Sequence, residues 1–207
     1  MQSMALSSAL RNTFFRIAAA AYFAGLLAAF TLPGFIRATA LIPPDSLHPI
    51  RWYTFLTFSI THSSFRHWLT SVALMLPAVL VLQGAHRWPR LFAFALGAGV
   101  IGGIVYVTFA AGGNPLIGAG LATWGLAGAA VATLVRRRVL FGILARIYGA
   151  VVVVVVLVTV IIGGTPESWA VVAAAVSGAV MGFVTPLTII GPAAPTRLVR
   201  PAPRVSS

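Results

Sequence analysis

Six long apolar stretches, separated by short polar connections, make up most of this chain. They cover residues 15–36, 67–83, 91–111, 116–135, 140–163 and 169–190. A helix needs about 20 apolar residues to cross the hydrocarbon core of a bilayer, and a single span must satisfy its own backbone hydrogen bonds, as only a helix does. Because 59% of the residues are hydrophobic and only 8% are charged, against about 25% charged in soluble domains, the sequence predicts an all-α integral membrane protein with six transmembrane helices.

The basic residues are all arginines, and most of them fall in alternate connections between the spans. One set of connections and termini holds Arg11, Arg16, Arg87, Arg90, Arg136, Arg137, Arg138, Arg197, Arg200 and Arg204. The other set holds both acidic residues of the chain, Asp45 and Glu167, together with Arg37, Arg51 and Arg66. Since basic residues concentrate in cytoplasmic loops, we expect both termini in the cytoplasm and a multi-pass protein of the cell membrane.

The apolar pattern predicts a single transmembrane domain over residues 1–190. Residues 191–207 form a basic, proline-rich tail, which we expect to be disordered and to rest on anionic lipid headgroups. The first apolar run could instead be a signal peptide. It is long for one, and it lacks a small-x-small cleavage site before Pro33, so we expect an uncleaved span.

Composition excludes several classes of function. The net charge is +12, but the arginines lie between apolar runs rather than on one basic, aromatic-studded face, so nucleic acid is not an expected partner. The chain has no cysteine. His62 and His67 would point about 140° apart on a helix, and no pair of carboxylates accompanies them, whereas zinc sites need three or four ligands. We therefore expect neither a metal nor another cofactor.

The connection over residues 37–66 is the only long one and is rich in aromatic residues. Its rings are Trp52, Tyr53, Phe55, Phe58 and Phe65. Tryptophan and tyrosine favour the interface between lipid and water, so this connection is predicted to lie half-submerged at the outer face of the membrane.

Three patterns of polar and small residues recur at defined places in the spans. His62 and His67 flank the start of the second span, and Ser71 follows one turn after His67. The fourth begins with Gly118-Ala119-Gly120-Leu121 and continues to Gly125 and Gly128; the sixth contains Ala174-Ala175, then Gly178 and Gly182. Each pattern alone is weak, because glycines at such spacing are common helix-packing devices. Their order along the chain and their positions in the spans are more specific than any single pattern.

Together these patterns resemble the rhomboid family of intramembrane serine proteases. The family shows His-x4-His-x3-Asn in the second span, Gly-x-Ser-Gly and Gly-Leu-x-Gly in the fourth, and Ala-His-x-x-Gly-x-x-x-Gly in the sixth. The resemblance spans nearly the whole chain and implies a rhomboid-like helix bundle. The resemblance places Gly120 at the position of the family's nucleophilic serine and Ala175 at the position of its general-base histidine. It places Ser71 at the position of the family's asparagine, and His67 matches the histidine that donates to the oxyanion.

The departures imply that the catalytic dyad is absent. Serine-type proteolysis needs a hydroxyl to attack and a base to take its proton, and neither Gly120 nor Ala175 supplies one. Thr123 lies one turn after Gly120 on the same helix face and is the fallback nucleophile, with His67 as a possible base. We expect its hydroxyl to bond instead to its own helix.

The predicted function is therefore that of a pseudoprotease, which binds or escorts transmembrane segments of other membrane proteins in the bilayer. The resemblance implies lateral access between the second and fifth helices. It also implies close helix packing at Gly118, Gly125, Gly128, Gly178 and Gly182. Two alternatives stay open: an active intramembrane serine-type endopeptidase with a non-standard nucleophile, and an unrelated six-span protein or transporter.

Overall fold

The computed structural model describes residues 13–43, 45–110, 114–137 and 142–187 and contains six long helices. We label them α1 (Thr13–Thr31), α2 (Phe65–Leu82), α3 (Trp88–Phe109), α4 (Gly120–Arg136), α5 (Ile143–Ile162) and α6 (Pro166–Val184). Five of them are long and apolar enough to cross a membrane, and α4 is a shorter apolar helix. The all-α membrane architecture predicted from the sequence is confirmed. The predicted tail, residues 191–207, lies outside the described residues.

Helix α4 is the centre of the bundle. Twelve of its seventeen residues are buried, which is typical of a helix that is surrounded by protein rather than lipid. At 1.5 Å per residue its seventeen residues span about 25 Å, less than the roughly 30 Å of a bilayer core.

The chain enters α4 through extended backbone, so the helix begins four residues later than the predicted span at 116. Leu116 exchanges two backbone hydrogen bonds with Leu41 of the long connection, at 2.9 and 3.0 Å. Gly118 then turns the chain with a positive φ of 111°, which glycine adopts without steric cost. Non-helical backbone at membrane depth is tolerated where protein satisfies it, as the Leu41 pairing does here.

Two other helix boundaries differ from the predicted spans for local reasons. Helix α1 ends at Thr31, whereas the predicted span ran to residue 36, because Pro33 disfavours helical backbone before it and Gly34 has a φ of 77°. Helix α2 begins at Phe65, two residues early, because the Ser64 hydroxyl accepts a hydrogen bond from the His67 backbone N–H at 3.2 Å. Such N-caps stabilise a helix start.

Helices α4 and α6 approach each other until their backbones touch. A Cβ atom added to Gly178 of α6 would lie 1.9 Å from the Gly125 carbonyl oxygen of α4. One added to Gly128 would lie 1.9 Å from the Ala175 carbonyl oxygen, and one added to Gly182 would lie 2.8 Å from that of Ala129. Only residues without a side chain permit this spacing, so the glycines fix how α4 and α6 pack.

The long connection between α1 and α2 folds back into the bundle. It forms short helices at Phe35–Thr39 and Thr54–Thr57 and single 3₁₀ turns at Asp45–Leu47, Pro49–Arg51 and Phe58–Ile60. Leu41 and Phe58 are fully buried, whereas Trp52 is 61% exposed. The connection is thus anchored in the core at two points, and it presents part of its aromatic surface outward.

Helix α5 is the least embedded of the six. Gly149 and Val152 are its only buried residues, and most of its valines face outward. Toward α2 it makes a long hydrogen bond, from the Tyr148 hydroxyl to the Leu74 carbonyl oxygen at 3.5 Å. A helix that buries so little surface is held to the bundle weakly.

The same glycine-to-alanine change should have opposite effects at two positions. Gly178→Ala forces the α4 and α6 backbones apart and is expected to lower the free energy of unfolding by about 1–3 kcal/mol. Gly120→Ala meets no atom within 4 Å of the added Cβ and is expected to be neutral or to stabilise by up to about 1 kcal/mol. Equilibrium unfolding in detergent micelles measures both. Equal losses at the two sites would contradict the packing described above.

Candidate functional site

The start of α2 and the chain before α4 meet at the end of the bundle that carries the long connection. A Cβ atom added to Gly118 would lie 2.2 Å from Cε1 of the His67 ring, so the imidazole packs directly on the glycine backbone. The Gly118 backbone N–H donates to the Phe58 carbonyl oxygen at 2.9 Å. The long connection, α2 and the chain before α4 therefore share one contact region.

His62 lies on the buried side of this contact region. It is fully buried, its ring centroid lies 5.4 Å from that of His67 and 5.3 Å from that of Tyr22 on α1, and neither ring nitrogen has a hydrogen-bond partner among the described residues. Burial, and secondarily the nearby His67, lower the pKa of His62 to about 4. The imidazole is therefore neutral at physiological pH.

Thr123 lies in the same region and does not bond to its own helix, so that expectation is wrong. Its side chain is fully buried, and its hydroxyl has no partner in hydrogen-bond geometry within the described chain. The Ala119 carbonyl oxygen, four residues earlier, accepts the Thr123 backbone N–H at 2.8 Å. The Tyr22 phenol of α1 is close enough for Thr123 to influence it electrostatically.

Gly120 borders open space. No atom lies within 4 Å of a Cβ added there, in contrast to the packing glycines of the same helix. On α6, Ala175 is buried. Leu121 and Ala174, the neighbours of these two residues, both contact the position of a Cβ added to Gly102, so the beginning of α4 lies beside the middle of α6. Gly120 and Ala175 thus carry no functional group, and there is room beside Gly120.

Ser71 of α2 and Ser177 of α6 both bond to their own helices. The Ser71 hydroxyl donates to the His67 carbonyl oxygen at 3.0 Å, and the Ser177 hydroxyl donates to the Ala174 carbonyl oxygen at 3.0 Å. The Ser63 hydroxyl is the side-chain partner of the His67 ring, at 3.4 Å from Nδ1. Ser71 therefore does not extend a donor into the space beside Gly120.

Sequence reasoning missed two residues that the structure brings into polar clusters. Tyr22 looked like an ordinary aromatic of the first span, but it packs against His62 and interacts with Thr123. His86 lies at the opposite end of the bundle, fully enclosed, with Nε2 at 3.3 Å from the Thr133 hydroxyl. Burial, followed by nearby arginines, lowers the pKa of His86 to about 4.

A signal for these two residues was present in the sequence, since each is a polar aromatic inside or beside an apolar span. Their partners lie far along the chain, so spacing alone did not reveal the clusters. Among the described residues no group of three histidine, cysteine or acidic side chains could hold a metal ion.

Comparison with known proteins gives one family. A family model described as Rhomboid domain matches residues 49–191, which is more than half of the chain and covers the second half of the long connection and α2 to α6. No curated protein matches the chain.

Buried neutral histidines make the stability of the fold depend on pH. The folded pKa of His62 is about 4, below the unfolded value of about 6.5, so between these values the unfolded state binds more protons and stability falls as pH falls. The expected slope is up to about 1.4 kcal/mol per pH unit for each such histidine, and it ends near pH 4. His86 adds a similar contribution.

The variant His62→Asn should therefore show a smaller slope than the native chain between pH 6.5 and 4, measured by equilibrium unfolding in micelles. A native slope in His62→Asn would mean that His62 is protonated in the folded state.

Proposed function

The chain belongs to the rhomboid family, and we propose that it acts there as a pseudoprotease that binds or escorts transmembrane segments of other membrane proteins. Family membership removes the alternative of an unrelated six-span protein. The proposal rests on two residues of the site that have no functional side chain: Gly120, which borders open space, and Ala175.

The groups that react in serine-type proteolysis are missing at these two positions. Acyl transfer needs a nucleophile within hydrogen-bond reach of a base. Of the four histidines in the chain, His48 lies in the long connection and His86 at the opposite end of the bundle. His67 pairs with Ser63, and neither ring nitrogen of His62 has a partner among the described residues. This arrangement supports a site that holds a segment rather than cutting it.

The polar groups that remain at the site favour binding. A buried polar group without a partner costs roughly 1–3 kcal/mol, and His62 and Thr123 are both fully buried without a hydrogen-bond partner in the described chain. A client segment that brings a polar side chain or an unwound backbone group into the space beside Gly120 would recover part of that cost. The site would then select clients by a polar feature in an otherwise apolar span.

Access to the site from the bilayer is proposed between α2 and α5. Helix α5 buries only Gly149 and Val152, so displacing it exposes little protein surface. The long Tyr148–Leu74 hydrogen bond is a contact that such a movement would break. The proposal places the site near the outer leaflet of the cell membrane and both termini in the cytoplasm, as the arginine distribution favours.

Active proteolysis is the second candidate, and one observation favours it. The Thr123 hydroxyl is one turn from Gly120 and has no hydrogen-bond partner in the described residues, so it is not occupied by the backbone. It also has no base bonded to it, and it lies 0% exposed, where a substrate carbonyl cannot reach it without rearrangement. We therefore rank proteolysis below binding.

Reconstitution in liposomes separates the two functions. The purified chain, mixed in liposomes with a model single-span protein, is expected to release no cleavage product, as followed by gel electrophoresis and mass spectrometry. Thr123→Val and His67→Ala should give the same background. A specific product that disappears in either variant would establish the protease function and remove the pseudoprotease proposal.

Photocrosslinking from α5 tests where a client binds. Val155 lies seven residues after Tyr148 and therefore on the same helix face, toward α2, whereas Val154 lies about 120° away and is 56% exposed. A photoreactive residue at Val155 should capture the model single-span protein in liposomes at least severalfold more efficiently than one at Val154. Equal capture from the two positions would contradict binding between α2 and α5.

A further inference from the structure

A second site lies between α4 and α6 at their carboxyl-terminal ends. An open groove of about 360 Å³ runs there, and its lining is entirely apolar. The walls come from Val131, Ala132 and Val135 of α4 and from Ala179, Val180 and Phe183 of α6. Val135, Val180 and Phe183 are each more than half exposed, so the groove faces the lipid and not the protein core.

An arginine closes the end of this groove. Arg136 directly follows the groove residue Val135, and its Cζ lies 5.6 Å from the centre of the Phe183 ring. Its Nη1 donates to the carbonyl oxygens of Gly182 and Thr185, at 3.1 and 2.8 Å. These bonds hold the exposed guanidinium at the mouth of the groove. A guanidinium has five N–H donors, so donors beyond those of Nη1 remain for a ligand.

Neither acidic side chain of the sequence lies at this end of the bundle. The whole chain contains two acidic residues: Asp45 in the long connection, and Glu167 in the first turn of α6, at the other end of that helix. Arg90 and Arg137 lie close enough to His86 to affect its pKa, as Arg136 does. Three arginines therefore converge where α4 and α6 end, beside the apolar groove.

We propose that this groove binds an anionic phospholipid, with one acyl chain between α4 and α6 and the phosphate on Arg136. Two adjacent features of the site match the two parts of a phospholipid. Arginine is the preferred side chain for phosphate groups, and it stands at the headgroup end of a groove that offers only apolar surface to a chain. The lipid-facing position of the groove gives a phospholipid direct access from the bilayer.

The proposal concerns a different surface from the client site. The groove lies on α4 and α6, whereas client binding is proposed between α2 and α5, and neither depends on the other. A transmembrane helix of a partner protein is the competing occupant of the groove. Such a helix would not need a phosphate, so its binding would not discriminate among lipid headgroups.

Native mass spectrometry of the full chain in mild detergent tests the proposal. Titration with dioleoyl phosphatidylglycerol and with dioleoyl phosphatidylcholine should show tighter binding of one phosphatidylglycerol. One arginine near the membrane surface contributes about fivefold to the affinity for an anionic lipid, so Arg136→Gln should weaken phosphatidylglycerol binding about fivefold. Arg87→Gln removes the same charge from the exposed amino-terminal cap of α3 and should change binding less than twofold.

A second variant leaves the arginine in place and fills the groove. Ala179→Phe puts a ring where the acyl chain is proposed to lie and should weaken binding of phosphatidylglycerol, at an unchanged net charge. Thermal unfolding of each variant identifies any that fail to fold, and Arg136→Lys, which keeps the charge, provides a folded comparison with a smaller loss. Equal affinity for the two lipids, equal losses in Arg136→Gln and Arg87→Gln, or native binding in Ala179→Phe would each overturn the proposal.

Discussion

The backbone contact between α4 and α6 is the interaction on which the rest of the structure depends. Gly125 and Gly128 of α4 meet Gly178 and Ala175 of α6 at distances that leave no space for a Cβ atom. In a bilayer no hydrophobic force drives helices together, so van der Waals contact at this range has to hold them. The contact places the beginning of α4 beside the middle of α6, and it leaves a groove at their carboxyl-terminal ends.

The long connection supplies the second constraint. It pairs with the chain before α4 through Leu41 and Leu116 and accepts the Gly118 N–H at Phe58. These bonds satisfy the backbone that precedes a short helix, and they bring Gly118 against the His67 ring. The same architecture that would position a nucleophile in a protease here positions Gly120 beside open space. Retaining the architecture without the reacting groups is what favours binding over catalysis.

The six helices could be predicted from composition alone, because a bilayer admits few other ways to satisfy the backbone of an apolar segment. The boundaries that differed did so where a contact distant in sequence intervened. Leu41 draws the first residues of the fourth span into an extended pairing. The candidate site was only partly predictable: the histidines and glycines stood out by spacing, whereas Tyr22 entered the site from another span. The bond expected from Thr123 to its own helix was wrong, because its buried hydroxyl has no hydrogen-bond partner among the described residues.

The sequence by itself determined that this is a six-helix membrane protein with glycines at defined helix positions. The resemblance to its family adds the prediction that Gly120 and Ala175 stand at the nucleophile and base positions. These properties belong to single segments and to residue identity, so they can be inferred without knowing which segments contact each other. Only the tertiary structure decided which glycines touch another backbone and which border open space. It also decided which polar side chains lack a partner and where Arg136 meets an apolar groove. These properties depend on distances between segments that are far apart in the chain, and packing alone sets those distances.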